Sequence, residues 1–317
     1  MKVKSLIKKI YNIYDKKKLK RYKIFDNFYY KKINDKEIKK ILIYFPFYEF
    51  MHFGDHIFFE PLGHFLTENG FEVKIFPINN MKFYFEKLSY NLGKESDLEE
   101  FDLIITRIEF ISKLKKIKNN ILYIDTSWPG IDKPLSLDLV SKTSDLLGIK
   151  LKTTTYIPRL INLVSENEIR NRFNILKDHQ YVLFNNYLDS GKFRIKKKHY
   201  IKLENYVKNL SLEKNLKIIH TGSMSDKKND RKAYDYIDID LRGRTSVEDI
   251  FFISQLSNVK YYVGFDAFIM HIFFSLEKKC YVLFRGRFTK KSEMFIKKYV
   301  NPSFHYEKDK CNIIEYI

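Results

Sequence analysis

Cysteine is nearly absent from this 317-residue chain: Cys280 sits inside an apolar stretch and Cys311 lies near the end. Two such residues make neither a disulfide framework nor a cysteine-based zinc site, and they suit a reducing cytoplasm. Long apolar runs are missing as well. None reaches the roughly eighteen residues that cross a bilayer, and the lysine-bearing N-terminus lacks the apolar core and small-residue cleavage site of a signal peptide. The expectation is a protein that is neither secreted nor membrane-spanning. There is no low-complexity segment, no repeat of solenoid period and no nucleic-acid-binding motif.

What is abundant is hydrophobic and basic. Hydrophobic residues make up 44% and aromatics 16% of the chain, enough at this length for two packed cores. The formal net charge is +19, unevenly placed: residues 1–40 hold fifteen Lys or Arg against four Asp or Glu, a net +11. There Val3, Leu6, Ile7, Ile10, Tyr11 and Tyr14 fall at helical spacing, with Lys2, Lys4, Lys8, Lys9, Lys16, Lys17 and Lys18 around them. Such a basic amphipathic helix either lies on an anionic membrane surface or docks on its own domain by the same apolar face. Without a nucleic-acid motif, the charge does not by itself imply a nucleic-acid partner.

From Lys40 short apolar runs alternate with amphipathic stretches. ILIYFPF (41–47), FEVKIFP (71–77), DLIITRI (102–108) and NILYIDT (120–126) read as strands, with helices around 56–69 and from Leu135 to Leu147, the latter closed by Gly148. A second alternation follows: YVLFNN (181–186), a basic helix over about 198–210, LKIIHTG (216–222), IDIDLRG (237–243), a helix at 246–257, then VKYYVGFDAFIMHIFFSLEKKCYVLF (259–284). Strands alternating with helices predict an α/β fold with parallel sheets in two Rossmann-like halves. The expected division is a basic segment over 1–39, a first domain over 40–150, a connection over 151–178, a second domain over 179–300 and a tail over 301–317. The loop 223–236 is expected to be the most mobile part of the second half.

Four places hold residues suited to chemistry. Gly54-Asp55 follows the first strand, flanked by His52, His56 and His64; Asp55 is placed either to take a proton from an incoming hydroxyl or to cap the next helix. Lys192, Arg194, Lys196, Lys197 and Lys198 form either a solvated face or a cationic patch that meets charge on a departing phosphate, with Lys198 and Lys192 best placed. In LRGRTSVEDI, Ser246 or Thr245 caps a helix, and Thr245 and Glu248 would face a nucleotide. Asp266 to His271 spans a strand end and a helix start, where backbone amides and the helix dipole make an anion site. A nucleotide or sugar phosphate is the ligand this last place suggests. Asp238-Ile-Asp240 also has the spelling of a metal-binding carboxylate pair.

In this order the pieces resemble the ADP-heptose:lipopolysaccharide heptosyltransferases, glycosyltransferase family 9. The resemblance rests on FGDHIFFEPLGHFLTENGFEVKIFP near the amino end, and on LRGRTSVEDI followed by YYVGFDAFIMHIFFSLEKKCYVLFRG. It spans about residues 41–290 and is strongest over 237–286. It implies a GT-B fold, two Rossmann-like domains facing a central cleft, and an inverting, metal-independent sugar transfer. The donor is a nucleotide-sugar, the acceptor a glycan or glycolipid precursor of the bacterial surface (lipopolysaccharide, lipooligosaccharide or capsule), and no metal or other cofactor is expected. Asp55 would be the catalytic base, with Gly54 and His56 on the acceptor side. Lys198, with Lys192 and Arg194, would contact the diphosphate, cradled by Asp266, Ala267 and His271.

The chain departs from the family at Ala267, Phe268 and Ile269, where a small hydroxyl residue, Gly and Pro are usual. Two bulky apolar side chains replace close backbone approach, so ADP-heptose does not follow as the donor. The other reading left by these residues is a non-catalytic GT-B-like protein that binds a glycan or a partner. The implied location is the cytoplasm, peripherally on the cytoplasmic face of the inner membrane through residues 1–38.

Overall fold

The computed structural model describes residues 23–25, 28–34, 36–45, 53–124, 135–151, 157–163, 165–187, 197–224, 234–283 and 314–317. Residues 1–22, which carry the expected basic amphipathic helix, lie outside the described residues, as do Lys192, Arg194 and most of the 223–236 loop. The described residues divide into two compact units, one of residues 23–45 and 59–151, the other of residues 53–58 and 157–317.

The first unit is built on apolar runs too continuous for a sheet with one wet face. They form a seven-stranded sheet in the order β1-β2-β7-β6-β3-β4-β5. Its strands are β1 (Lys23–Phe25), β2 (Phe28–Lys31), β3 (Lys40–Tyr44), β4 (Glu72–Phe76), β5 (Asn91–Leu92), β6 (Leu103–Arg107) and β7 (Asn120–Ile124). β3, β4, β5, β6 and β7 pair in parallel, and β2 and β1 add antiparallel at one side. Ile41 to Tyr44, Leu103 to Thr106 and Asn120 to Ile124 are buried throughout, as expected of parallel strands covered on both faces. Lys23–Phe25 and Phe28–Lys31, read in the sequence as part of a basic segment, thus contribute sheet.

Asp102 ties the sheet together at its amino edge. Its Oδ2 accepts from the amides of Lys39 and Lys40 at 3.0 and 2.9 Å, and Oδ1 meets Lys36 Nζ at 2.7 Å. Burial pushes this carboxyl up, but the Lys36 ammonium and the two amides outweigh it and hold it below the ordinary value. Three helices accompany the sheet: α1 (Phe53–Glu68), α2 (Lys82–Lys87) and α3 (Leu135–Leu147). α3 stops where predicted, Gly148 taking φ 67°. α1 starts earlier than predicted, so Gly54 and Asp55 lie in its first turn. Its interior Pro61 supplies no N–H for the carbonyl of Ile57, which loosens the helix just after that turn.

The second unit holds a six-stranded, all-parallel sheet in the order β10-β9-β8-β11-β12-β13. In chain order its elements are α4 (Glu166–Phe173), β8 (Gln180–Asn185), α5 (Lys197–Lys214), β9 (Leu216–His220), β10 (Ile239–Asp240) and α6 (Val247–Gln255). β11 (Val259–Phe265), α7 (Phe268–Ser275), β12 (Lys279–Leu283) and β13 (Ile314–Tyr316) follow. Val182, Phe184, Leu203, Val207, Val263 and Phe265 anchor its core. α4, within the stretch read as a connection, belongs to this unit: Arg172 forks onto Asp249 at 2.8 and 3.3 Å. β13 recruits part of the expected tail by pairing with β12.

Lys278 closes the carbonyl end of α6, its Nζ donating to Ser254 O at 2.6 Å and Leu256 O at 2.8 Å. Burial lowers its pKa to about 8 from an ordinary 10.5, nearby Lys260 adding to the shift and Glu166 opposing it. Below about pH 8 the fold therefore holds a charge that burial disfavours. Between about pH 8 and 10.5 the unfolded chain binds the proton more readily than the folded one, so stability rises with pH. In urea titrations across that window, the wild-type protein is expected to gain stability relative to Lys278→Met.

Candidate functional site

In an open parallel sheet, ligands collect beyond the carboxyl ends of the strands where the strand order reverses. In the second unit that point lies between β8 and β11, since β9 and β10 continue from β8 on one side and β11 adds on the other. β8 ends in Asn185 and β11 in Phe265, so the Asp266 turn and the start of α7 stand at the reversal.

Gly264 permits this strand end. A Cβ there would lie 2.3 Å from Tyr262 Oη and 2.6 Å from Asn185 O. The Tyr262 ring crosses the empty position so that its hydroxyl donates to Phe265 O at 2.9 Å. Complete burial pushes that hydroxyl well above 10, which keeps it a donor. α7 then begins at Ala267, with φ −126° and ψ 173° and no side-chain cap. The first amides of a helix have no intrahelical acceptors, so this end suits an anion.

The start of α6 is different. Ser246 Oγ accepts from Asp249 N at 3.1 Å, while Asp249 Oδ2 accepts from Ser246 N at 2.8 Å and from Ser246 Oγ at 2.9 Å. This capping box satisfies the amides of Ser246 and Asp249, and Ser246 rather than Thr245 is the cap. Thr245 and Glu248, both half-buried, flank this capped start.

The residues nearest the Asp266 turn come from far away in sequence. A Cβ on Gly54 would lie 3.3 Å from Cδ2 and Nε2 of His271 and 3.8 Å from Phe268 Cα, a tight fit that the His271 ring would meet by giving a few tenths of an ångström. The Phe53 ring meets Phe268 edge-on at 5.3 Å. The first turn of α1 thus belongs to the second unit, placing half-buried Asp55 next in chain to the residue seated on His271. His56 is completely buried, its side chain inside the fold. Ile269 is buried too, and Phe268 packs on Phe53, so the bulk that departs from the family pattern serves packing. Lys198, second residue of α5, is exposed.

Sequence reasoning missed a polar network at the same strand ends. Asn186 Oδ1 pairs with His220 Nε2 at 2.9 Å, and Asn186 Nδ2 donates to Tyr234 Oη at 3.2 Å. Asn185 Nδ2 donates to Thr221 O at 3.1 Å, joining β8 to β9. Tyr234 stands edge-on to His220 at 5.5 Å, with the Arg242 guanidinium 5.4 Å from its ring. The doubled Asn and the His within LKIIHTG were the available signals.

The Asp238-Ile-Asp240 pair does not act together. Asp238 precedes β10, accepts from Ile218 N at 2.8 Å and pairs with Lys217 at 2.9 Å. Asp240 holds Arg242 through Nε at 3.0 Å and Nη2 at 2.9 Å. Burial pushes the Asp240 carboxyl up, and Arg242 more than offsets it, leaving it below the ordinary value.

The sequence matches no family model and no curated protein. Solved structures do resemble it. The glycosyl transferase family 9 protein of Veillonella parvula has a TM-score of 0.57 at 11% identity, over 89% of this chain and 98% of that one. E. coli ADP-heptose lipopolysaccharide heptosyltransferase II has 0.58 at 12%, over 88% and 90%. E. coli heptosyltransferase WaaC with ADP has 0.51 at 10%, over 87% and 100%. At such identities the likeness is one of fold. The chain is an α/β protein of GT-B fold with two Rossmann-like units, the fold that its motifs implied.

Gly264→Ala forces the Tyr262 ring and the β8 backbone apart. The expected loss is about 1–3 kcal/mol, the range for overpacking a filled interior, read as a lower urea midpoint with unchanged slope.

Proposed function

We propose that this chain is an inverting, metal-independent glycosyltransferase that moves a sugar from a nucleotide-sugar donor to a hydroxyl of a bacterial surface-glycan precursor. The observation that carries this reading is the seating of the Gly54-Asp55 turn on the Asp266–His271 turn. Asp55 follows the seated glycine in the chain, and in this reading its carboxylate would be the base and the uncapped start of α7 the anion site of one reaction.

The donor diphosphate would lie at the start of α7, at the reversal between β8 and β11. The acceptor hydroxyl gives its proton to Asp55, and its oxygen attacks the anomeric carbon from the face opposite the nucleotide. The bond from that carbon to the diphosphate oxygen breaks, and both electrons leave with the nucleotide. Lys198, with Lys192 and Arg194, and the first amides of α7 meet the negative charge that grows there. The three WaaC, heptosyltransferase II and Veillonella relatives in fold support the reaction class. Neither ADP nor heptose is carried over, because the turn residues differ.

Asp55→Asn keeps shape and removes the proton acceptor. In transfer assays from ADP-, GDP-, UDP- and CMP-linked sugars to envelope glycolipid, the expected loss is about 10²–10⁴-fold in kcat at unchanged melting temperature. Wild-type rates in the folded variant would remove Asp55 from the role.

No helix among the described residues is long and apolar enough to cross a membrane. The proposed location is the cytoplasmic face of the inner membrane, with the basic residues of segment 1–38 on anionic lipid. Flotation with phosphatidylglycerol vesicles is expected to carry the full chain, and phosphatidylcholine vesicles are expected not to. Equal flotation with both would count against this placement.

A further inference from the structure

The first sheet reverses its strand order between β3 and β6, since β4 and β5 continue from β3 and β6 adds on its other side. Tyr44 closes β3 at this point. Its ring is wholly buried, stacked on Phe76 at 5.2 Å and edge-on to Phe110 at 6.2 Å. Thr106 Oγ1 donates to its carbonyl at 2.6 Å. Burial pushes the hydroxyl up to about 12 despite the nearby Lys113 ammonium, so it stays protonated. It donates to Glu95 Oε1 at 3.0 Å, and Lys113 Nζ meets the same oxygen at 2.5 Å.

Both partners of Glu95 use one oxygen. Among the described residues none takes Oε2, while the Glu95 and Lys113 side chains are 55% and 45% exposed. Ion pairs this exposed add little to stability. What the arrangement does is hold an accepting oxygen and a donating ammonium side by side at the reversal point, fixed from beneath by a buried phenol. Neighbouring ring hydroxyls of a sugar, each able to donate and accept, match such a pair.

We propose that Glu95 and Lys113 form a sugar-binding subsite that takes adjacent ring hydroxyls of a glycan. That the glycan is the acceptor rests on the transferase reading; that the pair binds sugar does not.

Saturation-transfer NMR of the full chain with methyl glycosides of glucose, galactose and mannose tests this. At least one glycoside is expected to show transfer with the wild-type protein, and the signal is expected to vanish in Glu95→Gln and in Lys113→Met. Glu95→Gln keeps an oxygen for Tyr44, so its melting temperature should remain near wild type. Silence from all three glycosides, or signals equal in wild type and both variants, overturns the subsite. Melting against ADP, GDP, UDP, CMP and CDP separates the two readings. A nucleotide-induced rise without glycoside signals removes the subsite and leaves the transferase. Glycoside signals that depend on Glu95 and Lys113, with no response to any nucleotide, support the subsite and count against the transferase.

Discussion

Parallel pairing of β11 with β8 on one side and β12 on the other is the constraint on which the chemistry of the second unit depends. Parallel strands all finish at the same edge, so Asn185, His220, Asp240 and Asp266 are brought there by topology alone. The pairing needs β11 to pass close to β8 at Gly264, and that closeness leaves room for the Tyr262 ring but for no second side chain. The hydrogen bond from Tyr262 to Phe265 O then fixes where the strand ends and where the turn begins. Position of the turn, in consequence, is set from within the core.

The two helix starts on this unit show how a local choice changes what a terminus can do. At α6, Ser246 and Asp249 satisfy each other and Arg172 neutralises the carboxylate. At α7, Ala267 caps nothing, Ile269 and Met270 face inward, and the approach of Gly54 places the first turn of α1 alongside. Phe268 would crowd a phosphate if it turned toward the amides, and its contact with Phe53 gives it another place.

The strands were legible because buried parallel strands write themselves as unbroken apolar runs, as ILIY, LIIT and YVLF do. The Gly148 stop and the Ser246 cap were legible because each residue type answers one backbone need. Three features were not. Residues 314–316, reading IEY, have no pattern and become strand only by pairing with β12. Phe53-Gly54-Asp55 reads as a turn, since glycine disfavours helix; that it opens α1 beside His271 is not displayed by sequence. Asn185, Asn186 and His220 read only as the polar ends of two strands, and strand ends lying side by side turn them into a network. Of the candidate site, the Asp55 and Asp266–His271 turns could be named from sequence, whereas the proximity of Gly54 to His271 is a product of the fold; Phe268 and Ile269 were read as obstacles because helix phase decides which way each points.

The outermost strands carry a different consequence. One border of each sheet, β5 and β10, is two residues long among the described residues, whereas the strands inside the sheets run from four to seven. An edge that short offers few unpaired amides and carbonyls to a neighbouring molecule, and on β13 Glu315 is held by Lys279 at 3.4 Å. A chain this rich in Ile, Phe and Tyr would otherwise expose templates for intermolecular sheet growth. Truncated borders let it concentrate apolar strands in its interior while resisting aggregation at its rims.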